Sequence, residues 1–298
     1  MTWQPELDEL QQRERMAQEM GGAEKVAKHH SQGRLTVRER IEALLDPGTF
    51  HEIGALAGSA EYSEGQLTSF RPANFVAGTG RLDGRKVVVG GDDFTVRGGA
   101  ADASVVGKQI YAEQLANSLR IPIVRLIDGT GGGGSVKLLE QHGHTYVPAN
   151  PAWDFVVDNL SLVPVAAACL GSVAGLGAAR LVASHFSVMV EGTSQLFVAG
   201  PPVVKSGVGE DLTKEELGGA QVHRNSSAVD VIVKTEHEAF TQIHRFLSYL
   251  PQNVFQLPPV LSCQDAVDRR EESLLTVIPR NRRQPYRIRP ILASLFDA

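Results

Sequence analysis

The sequence predicts an α/β fold with a largely parallel sheet under helical cover, and three observations carry that expectation. Short apolar runs at 121–127 and 163–170 alternate with helical patterns at the spacing of strand–helix–strand units. Both runs end in glycine-rich turns that lead toward helix starts. Asp83-Gly84 separates two further apolar runs, the cue for a tight antiparallel hairpin.

Taken in order, residues 5–30 are charged, with Leu, Met, Val and Ala at loose helical spacing, and predict one or two surface helices. The next helix opens at 35–40, where Thr36 is placed to cap it, and closes at the turn Asp46-Pro47-Gly48. A strand is expected at 52–57 and a polar loop at 59–72. The hairpin runs through 74–82 and 86–90. Helices follow at 101–119, 150–160, 175–184 and 236–249, with strands at 121–127, 163–170 and 186–190. The 19 uncharged residues from 161 to 179 have the length of a membrane span, but Pro164, Gly171, Gly175 and Gly177 divide them into strand, turn and helix start. After Pro258 the sequence is dense in arginine and contains Pro279, Pro285 and Pro290, the texture of a linker or extended arm. The expected organisation is a helical segment at 1–34, a main domain at 35–258 and an arm at 259–298.

A formal net charge of −5 argues against a nucleic-acid partner held by a basic field. Two cysteines, Cys169 and Cys263, cannot form a zinc ribbon, and both are expected to be reduced and inert. His142 and His144 lack a third ligand at useful spacing, so no metal is expected. The first ten residues lack the basic and apolar regions of a secretory signal, and a cytoplasmic protein off the membrane is the expectation.

The chain has 30 glycines, and they cluster at Gly98-Gly99, at 129–134 and at 171–177. Glycine lets backbone approach a ligand closely, and a helix start offers unpaired N–H groups at its positive dipole end. Two such turns side by side can aim two N–H groups at one oxygen, an oxyanion hole. Each turn is also compatible with being only a tight connection. Gly129, Gly131 and Gly134 fit G-x-G-x-x-G, but the acidic residue of a dinucleotide site is missing downstream. No Gly-Lys-Ser/Thr follows, which excludes a P-loop.

Several blocks then resemble one family in order and spacing. Gln32-Gly33-Arg34-Leu35-Thr36-Val37-Arg38-Glu39-Arg40-Ile41 with Leu44-Leu45-Asp46-Pro47-Gly48 is similar to the N-terminal signature of propionyl-CoA and methylcrotonyl-CoA carboxylase β subunits. Asp93-Phe94-Thr95-Val96 with Gly98-Gly99 and Gly107-Lys108 resembles the next block. Glu191-Gly192-Thr193-Ser194, the run Ala199-Gly200-Pro201-Pro202-Val203-Val204-Lys205, Gly209-Glu210 and Glu216-Leu217-Gly218-Gly219-Ala220 continue the series. The resemblance runs from about residue 30 to the end.

It implies a crotonase-like fold, the ClpP/crotonase superhelix of ββα units. It implies transfer of CO2 from carboxybiotin, borne on a separate carrier protein, to the α-carbon of an acyl-CoA, with the protein stabilising the enolate. The two turns map to 128–132 and 174–177, so Gly131 or Gly132 and Gly175 or Leu176 become the backbone donors. Arg97, Gly98, Gly99, Lys108, Gly200 and Pro201 become candidates for the CoA and biotin side. Leu176 stands where the family has a second glycine, and Gly133-Gly134 replaces more polar residues. Family β subunits hold two crotonase-like halves, and this sequence resembles the first, as a split subunit or a fragment. The expected partners are acyl-CoA, the biotin carboxyl carrier and biotin carboxylase subunits, a second crotonase-like half, and further copies in an oligomer. The rival readings are a stand-alone crotonase-type acyl-CoA decarboxylase or hydrolase and a non-catalytic subunit.

Overall fold

The apolar runs become the centre of a seven-stranded sheet. A computed structural model describes residues 2–99, 105–129, 143, 153–224, 226–260, 262, 266 and 268–296. It comprises two compact units, Met1–Pro259 and Val260–Ala298.

The larger unit opens with α1 (Gln4–Gln18) and α2 (Ala23–Ser31), then α3 (Val37–Leu44). Thr36 and Glu39 form a reciprocal capping box that fixes the start of α3. Strand β1 (His51–Glu52) is shorter than the strand expected at 52–57, because Gly54 turns the chain at φ +67°. The polar loop expected at 59–72 is instead a hairpin, β2 (Gly58–Ser63) and β3 (Gln66–Pro72). Glu64 and Gly65 take positive φ at its tip, as a two-residue hairpin turn requires. Strands β4 (Phe75–Leu82) and β5 (Arg85–Asp92) pair antiparallel about Asp83-Gly84, as expected.

From here the chain alternates. Helix α4 (Val106–Leu119) precedes β6 (Ile123–Ile127), and α5 (Trp153–Leu162) precedes β7 (Val165–Cys169). Short β8 (Ser172–Ala174) leads into α6 (Leu176–Val182), then β9 (Phe186–Val190) and β10 (Gln195–Phe197). Helices α7 (Pro201–Val208), α8 (Lys214–Gly218) and α9 (Ala220–His223), strand β11 (Val231–Val233) and helix α10 (Glu236–Ser248) follow. The main sheet runs β1-β4-β5-β6-β7-β9-β11, parallel from β5 onward, and β8 pairs parallel with β10 in a separate two-stranded sheet.

Every residue of β6 and β7 is buried, which explains why their sequences are apolar at every position but Arg125. On one face Val124, Leu126, Ala166 and Ala168 pack against Val37, Ile41 and Leu44 of α3 and Phe240, Ile243 and Leu247 of α10. On the other, Phe75, Val88 and Ile123 meet Ala112 and Ala116 of α4. Each large apolar side chain so buried contributes roughly 1.5–3 kcal/mol. Arg125 is the polar exception within β6: its guanidinium is buried and bidentate to Glu113 of α4 at 2.8 and 2.9 Å. Burial alone would raise the Glu113 carboxyl, but the Arg125 charge and hydrogen bonds hold it below its ordinary range.

Among the described residues the smaller unit carries two short helices, α11 (Leu274–Val277) and α12 (Ile288–Leu295), neither with a buried residue. Among the described residues no helix is long and apolar enough to cross a membrane.

Candidate functional site

At the carboxyl ends of β5 and β6 and beyond β7, the edge where open α/β sheets bind ligands, Gly99, Gly129 and Gly177 come together. After β5, Arg97, Gly98 and Gly99 all take positive φ, at 53°, 63° and 68°. A Cβ on Gly99 would lie 3.0 Å from Gly129 Cα and 3.1 Å from the Asp128 carbonyl oxygen. A Cβ on Gly177 would lie 3.3 Å from the Gly129 carbonyl oxygen. That same oxygen accepts the Ala174 N–H at 3.4 Å, which ties the backbone just beyond β6 to the end of β8.

The start of α6 decides which backbone groups are available. Gly175 sits at φ +57°, ψ −122°, a region that L residues avoid, and its N–H donates to Val198 O at 3.0 Å. Its donor is therefore engaged in holding the turn. Leu176 is the first helical residue, and its N–H has no acceptor among the described residues. The first intrahelical bond, Ala179 N–H to Gly175 O at 3.0 Å, forms beyond it. The Leu176 side chain is half-buried beside this donor. Gly131 and Gly132, and also His142, His144 and Cys263, lie outside the described residues.

Beneath the turns is a charge network that the sequence reading did not assign. Asp128, fully buried at the end of β6, accepts from Arg40 Nη1 at 2.8 Å and Arg34 Nη1 at 3.2 Å. Arg40 also donates through Nε and Nη2 to Glu236 at 2.8 Å each, and through Nη2 to Leu170 O at 2.9 Å. Burial opposes its charge, yet the carboxylates of Asp128 and Glu236 make the Arg40 guanidinium hold its proton more firmly than usual. His29 Nε2 lies 3.7 Å from Asp128 Oδ2 and donates to Leu35 O at 3.1 Å. Burial pushes His29 down to about 4, against the pull of Asp128, so its contact with Asp128 at neutral pH is not an ion pair. Asp92 accepts the Asp128 N–H at 3.2 Å, and burial pushes its carboxyl up. One signal in the sequence does point to Arg40: it shares the Val37, Ile41 and Leu44 face of α3, where a charge has to be buried.

The remaining candidates separate. Arg97 and Gly98 line a cavity of about 250 Å³ with Lys25, Lys28, Arg34 and Phe94, and the Arg34 guanidinium lies 5.0 Å from the Phe94 ring centre. Lys108 was expected as a candidate for the CoA side. It is buried instead, paired to Glu52 at 3.1 Å, and burial lowers its ammonium below the ordinary range. Gly200 caps α7 and Pro201 opens it, next to Val198, which is 86% exposed. Cys169 is buried and its thiol is pushed up to about 12, so it is inert as a nucleophile. Among the described residues no group of His, Cys, Asp and Glu could hold a metal.

The chain as a whole has relatives among known proteins. The carboxyl transferase domain family matches residues 28–298. The propionyl-CoA carboxylase carboxyltransferase subunit of Haloferax mediterranei is 32% identical over 301 residues, covering 100% of this chain and 57% of that protein. The methylmalonyl-CoA decarboxylase subunit alpha of Veillonella parvula is 31% identical, covering 99% and 58%. Among solved structures, transcarboxylase 12S with methylmalonyl-CoA and methylmalonic acid bound matches with a TM-score of 0.79 at 28% identity, over 100% of this chain and 57% of that one. The β subunit of P. aeruginosa geranyl-CoA carboxylase matches at 0.69 and 26% identity, over 96% and 52%. The chain thus spans a little over half the length of these relatives, and its fold is the crotonase-like α/β fold expected from the sequence. With the match extending over nearly all of its length, this chain belongs to the carboxyl transferase domain family.

Proposed function

We infer that this chain is the acyl-CoA-binding half of a biotin-dependent carboxyltransferase that acts in the cytoplasm. The observation that carries this reading is the Leu176 N–H at a helix start, without an acceptor among the described residues, where Gly99, Gly129 and Gly177 approach one another. A thioester whose α-carbon gives up its proton gathers negative charge on the carbonyl oxygen. Backbone N–H groups aimed at that oxygen stabilise it with no titratable side chain. Leu176 takes one donor role, and Gly131 or Gly132 takes the other.

The cavity lined by Lys25, Lys28, Arg34 and Arg97 suits the phosphates of CoA, and Gly98 and Gly99 allow backbone to lie close to them. Biotin, borne on a separate carrier protein, fits the apolar lip of Val198, Pro201 and Val203 beside Gly200, since its ring system is uncharged and compact. When bound, it contributes the carboxyl group and the base for the α-proton. This chain's own residues bind and orient the thioester and hold the charge on its oxygen. The expected partners are a biotin carboxyl carrier, a biotin carboxylase and a second crotonase-like half, within an oligomer.

The test is carboxyl transfer from carboxybiotin, followed with the chain and a second crotonase-like half together. Loss of the carboxyl group from carboxybiotin that depends on acyl-CoA, with its appearance on the α-carbon of the thioester and the α-proton passing to biotin, is expected, and its absence would overturn the reading. The 31% identity to a methylmalonyl-CoA decarboxylase subunit supports a second reading, decarboxylation. Turnover of a malonyl-type thioester without biotin would favour a stand-alone decarboxylase or hydrolase. A folded chain that binds no CoA would favour a non-catalytic subunit.

A further inference from the structure

The geometry points to Arg40 as the positioning residue of the thioester site, tying the end of β6 to the end of β7 so that the Leu176 N–H keeps its aim. This rests on the donor role given to Leu176 above. Arg40 belongs to α3, far from the glycine turns in sequence, and it is 1% exposed. Its guanidinium joins two particular groups. One is Asp128, the residue that roots the turn after β6, at 2.8 Å; the other is Leu170 O, the carbonyl that ends β7, at 2.9 Å. From Asp128 the connection passes through Gly129 O to the Ala174 N–H, two residues before Leu176. From Leu170 it passes along the backbone through Gly171, where a Cβ would lie 1.9 Å from Asp128 Oδ1. The turn is thus held from both sides, and the space beneath it is filled.

Stability alone does not call for such a device. A buried ion pair can often be replaced by packed apolar side chains at no net loss. What an apolar residue cannot do is hold a carbonyl and a carboxylate at fixed separation. The planar fork of arginine does this with rigid, separate donors, and Glu236 locks its remaining edge at 2.8 Å. Lysine keeps the charge but is a single flexible point and cannot hold both strand ends in that geometry.

The experiment is carbon-13 NMR of the full chain with propionyl-CoA labelled at the thioester carbonyl, alongside calorimetry with CoA itself. The bound carbonyl signal should move downfield in the unsubstituted chain, as hydrogen bonds polarise it. In Arg40→Lys, CoA affinity should stay within about two-fold while the downfield displacement falls by roughly half or more. A purely structural role would reduce CoA binding and the folded fraction together, or leave the displacement whole. Full displacement in folded Arg40→Lys overturns the inference and leaves the function standing. Should Arg40→Lys not fold, Glu236→Gln takes its place. It leaves both strand-end bonds but frees the other edge of the fork. A partial loss of displacement at unchanged CoA affinity supports the inference, and an unchanged displacement overturns it. No displacement in the unsubstituted chain with thioester bound overturns the donor role of Leu176, and the inference with it.

Discussion

Arg40 Nη1 stands 2.8 Å from Asp128 Oδ2, with both side chains shut away from solvent. Arg34 approaches the other oxygen of the same carboxylate at 3.2 Å, so Asp128 bridges two cations, one of which Glu236 also holds. Asp128→Asn leaves both guanidiniums facing a neutral amide. Breaking a buried pair in this way costs about 3–5 kcal/mol, a large fraction of the stability of a domain. A urea titration followed by circular dichroism should show the midpoint falling accordingly. The Lys205–Asp211 pair at 2.6 Å is a useful contrast, because both its side chains are mostly in solvent. Lys205→Ala should leave the midpoint where it is.

His29 gives the fold a pH dependence whose sign can be worked out. Its folded value, about 4, lies below the ordinary 6.5 because burial penalises the charged ring. An unfolded chain takes up a proton between those values that the native chain does not. Stability from the neutral ring is therefore complete above pH 6.5 and falls as the pH is lowered toward 4. One such group gives a slope of up to about 1.4 kcal/mol per pH unit. His29→Gln should make the unfolding free energy fall less steeply between about pH 6.5 and 5, a window in which most carboxylates stay ionised. Identical slopes in the two chains would show that His29 is not buried as a neutral ring.

These two predictions rest on residues that the sequence made visible unequally. Periodicity placed β6, β7, β9 and α10 because their side chains face a core that demands continuous apolar residues or a helical stripe. It missed β2 and β3 because that hairpin is mostly exposed, so its sequence is polar and carries no alternation. It missed β8 and β10 because three residues cannot display a period. Within the site, glycine spacing pointed to the turns but not to which N–H is spent. The Val198 carbonyl that occupies Gly175 lies 23 residues along the chain, a long-range pairing that no local pattern encodes. The same holds for Lys108 and Glu52, which meet across 56 residues.

The cationic cavity yields a kinetic prediction. Lys25 and Lys28 are exposed on α2 and line it together with Arg34 and Arg97. If CoA phosphates lie here, Lys25→Ala combined with Lys28→Ala raises the KM for acyl-CoA by roughly five- to thirty-fold and leaves kcat nearly unchanged. That pattern marks uniform ground-state and transition-state binding. The same change should flatten the salt dependence of KM, since screening acts on exposed charges. An unaltered KM would move the CoA site to another part of the surface.

Leu176 allows the donor role to be separated from the side chain. It is the first residue of α6, the position at which proline is best tolerated, because the N–H there has no helical acceptor. Leu176→Pro therefore removes one donor and should spare the helix. Loss of a single oxyanion donor lowers kcat by about 10²–10³-fold, with little change in KM. Leu176→Gly keeps the N–H and removes the half-buried side chain beside it. That variant should retain the rate on a short acyl-CoA and gain on a longer or branched one. The comparison isolates the N–H, because both variants lose the leucine and only one loses the donor. Circular dichroism and CoA binding confirm in each case that the turn is intact. A Leu176→Pro chain that folds, binds CoA and turns over at the original rate would move the donor one residue on, to Gly177, which also lacks an acceptor among the described residues.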